Sequence, residues 1–278
     1  MQLTESQLQT VTLDDGLTLA YRELGSGPPV LLLHGWPTSS YLWRNVMPAI
    51  ARRNSVIALD LPGFGGSDKP VDIRYTFDFY EHALDGLTAK LEMDDLGLAV
   101  HDLGGPIGLH WMMRNPGRVT RLALLNTLIY PQLRPELIEF LRTVGNPDAR
   151  DRLTGPDGLA GIMRTGLADP GRLTDDTLAA VQNPFHTPEA RHALALATLG
   201  LDPREFATIA DWLPSLDSPV RIVYGERDQV LTDVADTMTR AAQDLPRAEV
   251  TTLPNAGHFL QEDEPERVGE LLADFFAR

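Results

Sequence analysis

The sequence predicts an α/β protein with a mostly parallel sheet covered by helices on both faces. Three observations carry that expectation. From Val30 onward, short β-branched and aliphatic runs alternate with longer segments of helical period. Ahead of them, two short runs flank Asp14-Asp15-Gly16, a tight hairpin signal. Between about Pro131 and Trp212 the alternation stops, and helical pieces punctuated by Pro and Gly take its place.

In chain order the expected strands are Thr10–Leu13, Thr18–Glu23, Val30–Leu33, Val56–Leu59, Leu98–His101, Leu122–Asn126, Val220–Tyr224 and Glu249–Leu253. Helical periods fall at Tyr41–Arg52, Phe79–Leu91, Pro106–Asn115, Val234–Asp244 and Pro265–Phe276. Pro135–Thr143, Leu173–Val181 and Pro188–Gly200 are among the helical pieces of the interrupted stretch. The organisation that follows is a core of residues 1–130 and 213–278, with residues 131–212 inserted as a helical cap. No repeat or low-complexity tract is present.

Composition narrows the function classes. The chain has 278 residues, 43% hydrophobic and 23% charged, which is globular rather than disordered or fibrous. A formal net charge of −15 repels phosphate backbones and anionic lipid, so neither nucleic acid nor a membrane surface is an expected partner. There is no cysteine, which excludes disulfides, thiolate catalysis and cysteine-ligated metals. Met1–Thr10 lacks the basic and apolar regions of a secretory signal, and no apolar run reaches the roughly 18 residues of a membrane span. The expectation is a soluble cytoplasmic protein, a monomer or homodimer.

Four segments carry chemistry. In Leu98-Ala99-Val100-His101-Asp102-Leu103-Gly104-Gly105, an apolar strand meets an acid, then glycines, then a helix. That strand–turn–helix layout projects its central side chain above the carboxyl edge of a sheet. Leu31-Leu32-Leu33-His34-Gly35-Trp36-Pro37 is a second strand end, whose turn directs the Trp36 N–H into the same region. With the N–H of Leu103 it would form an oxyanion hole. Asp228 follows the strand in Ile222-Val223-Tyr224-Gly225-Glu226-Arg227-Asp228, and His258 follows the last strand in Pro254-Asn255-Ala256-Gly257-His258-Phe259. Singly, each has a plain explanation: Asp102 can cap a helix, and the others can be satisfied loop residues. Together they stand in the order nucleophile, acid, base.

These residues resemble an α/β-hydrolase of the haloalkane dehalogenase and epoxide hydrolase branch, which uses aspartate as nucleophile. The resemblance runs from about Thr12 to the C-terminus. It is closest in His34-Gly35-Trp36-Pro37-Thr38-Ser39-Ser40-Tyr41-Leu42-Trp43-Arg44-Asn45, in Asp60-Leu61-Pro62-Gly63-Phe64-Gly65-Gly66-Ser67-Asp68-Lys69-Pro70 and in Val100–Gly105. It implies an α/β-hydrolase fold with an eight-stranded sheet and a cap. It also implies a cofactor-free and metal-free reaction of a small apolar substrate with water. Asp102 is then the nucleophile, His258 the base and Asp228 the acid, since the alternative acid position holds Asn126.

The chain departs from the pattern at the leaving-group end. Dehalogenases usually carry Trp after the nucleophile, where this chain has Leu103; the second donor is an Asn in the turn, or a cap Trp, where this chain has Trp36 and no cap Trp before Trp212. Epoxide hydrolases carry cap tyrosines, and no tyrosine lies between Pro131 and Trp212. Trp36, His34, Tyr130, Phe185 and His186 are the residues left to contact substrate or leaving group. A haloalkane dehalogenase is the first reading, an epoxide hydrolase the second, and a silent small-ligand-binding homologue the third.

Overall fold

The computed structural model describes residues 7–132 and 134–278. Eight strands form one sheet: β1 Leu8–Thr12, β2 Thr18–Gly25, β3 Pro29–Leu33, β4 Ser55–Leu59, β5 Leu96–Asp102, β6 Val119–Thr127, β7 Val220–Gly225 and β8 Ala248–Leu253. Their spatial order is β1-β2-β4-β3-β5-β6-β7-β8. β1 and β2 run antiparallel to their neighbours, and all later pairings are parallel. All eight strands expected from the sequence are present, with ends moved by up to three residues.

The helices are α1 Met47–Ile50, α2 Phe77–Lys90, α3 Gly104–Arg114, α4 Pro135–Gly145, α5 Pro147–Leu153, α6 Pro156–Gly166, α7 Asp175–Gln182, α8 Pro188–Leu199, α9 Pro203–Trp212, α10 Val234–Asp244, α11 Leu260–Asp263 and α12 Pro265–Phe276. The single helix expected over Tyr41–Arg52 is instead a 3₁₀ turn, Ser40–Trp43, followed by α1. Pro48 explains the break. It has no N–H to donate to the Arg44 carbonyl, and its ring would collide with that carbonyl in a continuous helix. Among the described residues between β6 and β7 there are only helices and short turns. None of the described helices is long and apolar enough to cross a membrane.

The sheet order places the site. From β3 the chain passes to β4 on one side, and from β5 it passes to β6 on the other. The loops leaving the carboxyl ends of β3 and β5 therefore diverge, which opens a crevice between them. Every residue of β5 is buried, as are the last four of β3, so both strand ends are fixed by packing on two faces.

Candidate active site

Asp102 is the last residue of β5 and adopts φ of +48°, the left-handed region that a non-glycine residue occupies only when its surroundings impose it. Those surroundings are visible. The β5–β6 register slips at this point, His101 pairing with Leu125 but Asp102 with Thr127. The Thr127 hydroxyl donates to the Asp102 carbonyl at 2.6 Å. A Cβ on Gly105 would collide with the Thr127 hydroxyl, and a Cβ on Gly35 with the Asp102 carboxyl group. Two glycines thus let the strand turn into α3 and the β3 turn close over it.

The Asp102 carboxyl group is held unsymmetrically. The Trp36 backbone N–H donates to Oδ1 at 2.7 Å, and the nearby Leu103 N–H favours the ionised carboxyl group. Oδ2 lies 3.6 Å from His258 Nε2. Burial raises the pKa of Asp102; the His258 charge and the two backbone donors oppose that rise without cancelling it.

His258 is fully buried, with Nδ1 2.8 Å from Asp228 Oδ2. Burial alone would depress its pKa, but the Asp228 charge and hydrogen bond, with a smaller push from Asp102, hold it above the ordinary imidazole value. Asp228 is itself tightly satisfied. Its Oδ1 accepts from the N–H groups of Val230 at 2.7 Å and Leu231 at 2.8 Å. Its Oδ2 accepts from Asn126 Nδ2 at 2.7 Å as well as from His258. Burial pushes its pKa up, but His258 and these donors more than compensate, leaving it below the usual carboxylate value.

Asn126 has a larger part than its sequence position announced. Besides holding Asp228, its Nδ2 donates to the Gly257 carbonyl at 3.2 Å and its Oδ1 accepts from Gly225 N–H at 2.9 Å. One amide side chain therefore joins the ends of β6, β7 and the His258 loop. His101, beside Asp102, hydrogen-bonds the His258 carbonyl through Nε2 at 2.9 Å, and burial drives its pKa well down, which keeps it neutral.

A cavity of about 270 Å³ opens beside Asp102. Trp36 and Leu103 line it from the sheet side, and Phe140, Ile162 and Phe206 from the inserted helices, with Leu201 from the loop between α8 and α9. No tyrosine, histidine, lysine or arginine is among its lining residues. The Trp36 indole Nε1 is buried without a hydrogen-bond partner, and its ring stands edge-on to Phe140 at 4.9 Å.

The structure thus brings Asp102, Asp228, His258, Trp36 and Leu103 together. It does not bring His34, Tyr130, Phe185 or His186 to the cavity, and the sequence expectation for these four is corrected. His34 Nδ1 bonds the Gly35 carbonyl at 2.9 Å and Nε2 accepts from Leu61 N–H at 3.0 Å, so the ring braces the turn. Tyr130 donates its hydroxyl to Asp244 at 2.6 Å and lies under the Arg240 guanidinium. Phe185 is buried edge-on to Phe64, and His186 faces solvent. The cavity-lining Phe140 and Phe206 belong to amphipathic helices whose sequence signals burial but not which buried face meets a cavity.

Residues 28–154 match the model of the α/β hydrolase fold family. A haloalkane dehalogenase of Sphingobium indicum is 30% identical over 285 residues, covering 95% of this chain and 93% of its own. One of Agrobacterium fabrum is 29% identical over 277 residues, covering 95% and 90%. Among solved structures, the haloalkane dehalogenase DbeA from Bradyrhizobium elkani superposes with a TM-score of 0.84 at 29% identity, covering 98% of this chain and 97% of its own. An epoxide hydrolase, CorEH, does so with a TM-score of 0.85 at 27% identity, covering 98% and 99%. With this sheet order, this strand-end site and these relatives, the chain belongs to the α/β-hydrolase fold family, in the branch of the haloalkane dehalogenases and epoxide hydrolases.

Proposed function

We propose that this protein is a hydrolase that cleaves carbon–halogen bonds in small apolar haloalkanes through a covalent ester on Asp102. In this reading residues 131–212 form a cap over a core of residues 1–130 and 213–278. A cytoplasmic location belongs to the same proposal.

The chemistry follows from the unequal oxygens of Asp102. Oδ1 is occupied by the Trp36 N–H, which leaves Oδ2 to attack the substrate carbon. The C–O bond forms as the C–X pair departs with the halide. An ionised carboxylate needs no base for this step. His258 Nε2 then takes a proton from water, and the water oxygen adds to the Asp102 carboxyl carbon. The oxyanion forms on Oδ1, which already accepts from the Trp36 N–H, with the Leu103 N–H as the second donor of the hole. Collapse expels the alcohol with Oδ2, and the proton on His258 satisfies it. Asp228 orients the ring and stabilises the imidazolium.

The observation that carries the dehalogenase reading over the epoxide hydrolase reading is the cavity lining. An epoxide opens to an alkoxide, which calls for a buried acid on the cavity wall; no tyrosine, histidine or lysine lines it, and the one lining carboxyl group besides Asp102, that of Glu136, is exposed. Halide leaves without a proton. The buried, unpartnered Trp36 Nε1–H supports a role as its donor. A panel of primary bromoalkanes and terminal epoxides tests the proposal. Halide release without diol is the expected result, and diol without halide would replace the first reading by the second.

A further inference from the structure

The four-residue helix α11 begins two residues after His258, and its last residue, Asp263, is 3% exposed. Asp263 Oδ2 accepts from Gly257 N–H at 2.8 Å and from Ala168 N–H at 3.0 Å, and Oδ1 accepts from Asp169 N–H at 3.3 Å. Gly257 immediately precedes His258, whereas Ala168 and Asp169 follow α6 in the inserted helical stretch. A second stitch lies alongside, where Phe259 N–H donates to the Gly166 carbonyl at 3.1 Å. The two segments touch so closely that a Cβ on Gly257 would meet the backbone of Gly166 and Ala168. Asp102 takes no part in these bonds; its geometry is set by β5, Trp36 and Leu103.

We propose that Asp263 is a positioning residue that ties the seating of segment 166–169 to the placement of His258, so that ester hydrolysis depends on it and alkylation of Asp102 does not. This rests on the reading that His258 acts only in the second half-reaction. The physical argument is reach. One carboxyl group gathers three backbone donors from two segments, and the residue next to one of those donors is the base. A misplacement of about 1 Å in a reacting group can cost about 100-fold in rate. An Asn at 263 would turn one acceptor into an NH₂ group facing backbone N–H, so at least one of the three bonds is lost.

The experiment is single-turnover and steady-state kinetics of Asp263→Asn on a primary bromoalkane, with intact-protein mass of the quenched enzyme. We expect the halide burst to stay within about threefold of wild type, steady-state turnover to fall by about 10- to 100-fold, and the alkyl mass to accumulate on Asp102. Glu262→Gln is the control. It breaks the Arg44–Glu262 pair made from the same helix, through which Arg44 also reaches Thr177 at 3.0 Å. That variant should lose stability without accumulating ester. Equal slowing of burst and turnover in Asp263→Asn, or equal accumulation in Glu262→Gln, would overturn the proposal. Hydrogen exchange on the wild-type protein tests it without any variant: the amides of Gly257, Ala168 and Asp169 should open as one unit, and independent opening would sink it. A wild type that releases no halide from any bromoalkane would count against the dehalogenase reading alone, because the exchange result stands apart from it.

Discussion

The sheet edge and the inserted helices meet across the cavity with opposite chemistry. Asp102, Asp228 and His258 all hang from strand ends or the loops after them, and each is buried and bonded to named partners. The inserted stretch offers mainly Phe140, Leu141, Ile162, Leu201 and Phe206, with two threonines and the exposed Glu136. Reaction type is thus written on the parallel sheet, where strand register and hydrogen bonds hold each group in place. Substrate choice is written on side chains that merely pack. Changes on the first side should alter whether the reaction proceeds, and changes on the second should alter what it accepts.

The strongest break of that division is at Asp102 and His258, the proposed nucleophile and base. Asp102→Ala should abolish turnover of every substrate while leaving the fold intact by circular dichroism. His258→Phe should lower steady-state turnover by about 10⁴-fold or more, yet gain the mass of one alkyl group per chain, mapping to Asp102 by peptide mass spectrometry. Retained turnover in freshly purified Asp102→Ala would end the ester mechanism.

Asp228 comes next. Asp228→Asn should slow ester hydrolysis by about 10³- to 10⁴-fold, because the wrong imidazole tautomer is favoured. Adding Asn126→Asp exchanges donor and acceptor across the same 2.7 Å contact and should restore part of the loss. The pH profile gives a second readout with a fixed sign. His258 must be neutral to take a proton from water, and its pKa lies above the ordinary imidazole value. Hydrolysis should therefore fall as pH drops through that raised pKa. Removing the Asp228 charge should move this acid limb to lower pH even as the plateau falls. In stability, His258 contributes below its unfolded pKa and the contribution fades as pH rises through the folded one. Asp228, depressed, contributes at higher pH and loses its contribution as pH falls through its folded value.

The same division explains what the sequence disclosed. All eight strands and the three charged residues were legible, because turn residues such as Gly35 and Gly104-Gly105 flag the places where a parallel strand must end. In the inserted stretch, α5, α6 and α9 are less legible in the sequence than the strands. Their prolines, Pro147, Pro156 and Pro203, read as interruptions but occupy the first helical turn, where a missing N–H costs nothing. The misassigned contacts have a related cause. Tyr130 and His186 carry suitable chemistry, but nothing in their neighbourhood signals that Asp244 or solvent would claim them. In the sequence Asn126 stands out only as a non-acid at an acid position, since a side chain that joins three chain segments is invisible until those segments are adjacent.

On the insertion side, Phe140→Ala removes a half-buried ring from the cavity wall and from its edge contact with Trp36. We expect a stability loss of about 1–3 kcal/mol, at or below the usual range for buried aromatics because the site is only half buried. Turnover of short bromoalkanes should change by less than about 10-fold, with KM shifting in favour of longer chains. A loss as large as that of Asp228→Asn would show that the wall takes part in the chemistry and would dissolve the division drawn above.

The smallest effect should come at Leu103, where the two sides touch. Its backbone N–H serves Asp102, while its side chain lines the cavity. With Leu here, Trp36 is the one tryptophan among the cavity-lining residues, and its Nε1–H is buried without a partner. A single donor stabilises departing halide less than two, so bromide and iodide should be turned over well and chloride poorly. Leu103→Trp adds a second indole while leaving the backbone donor in place, and the cavity has volume to receive the larger ring. Chloroalkane turnover should rise by about 10-fold or less, roughly the worth of one hydrogen bond to a charged group in a partly screened site, with bromoalkane turnover nearly unchanged. Efficient chloroalkane hydrolysis by the unmodified protein would place a halide donor elsewhere in the lining, and the first residue to replace would then be Gln229, whose amide is the other N–H-bearing side chain on the cavity wall.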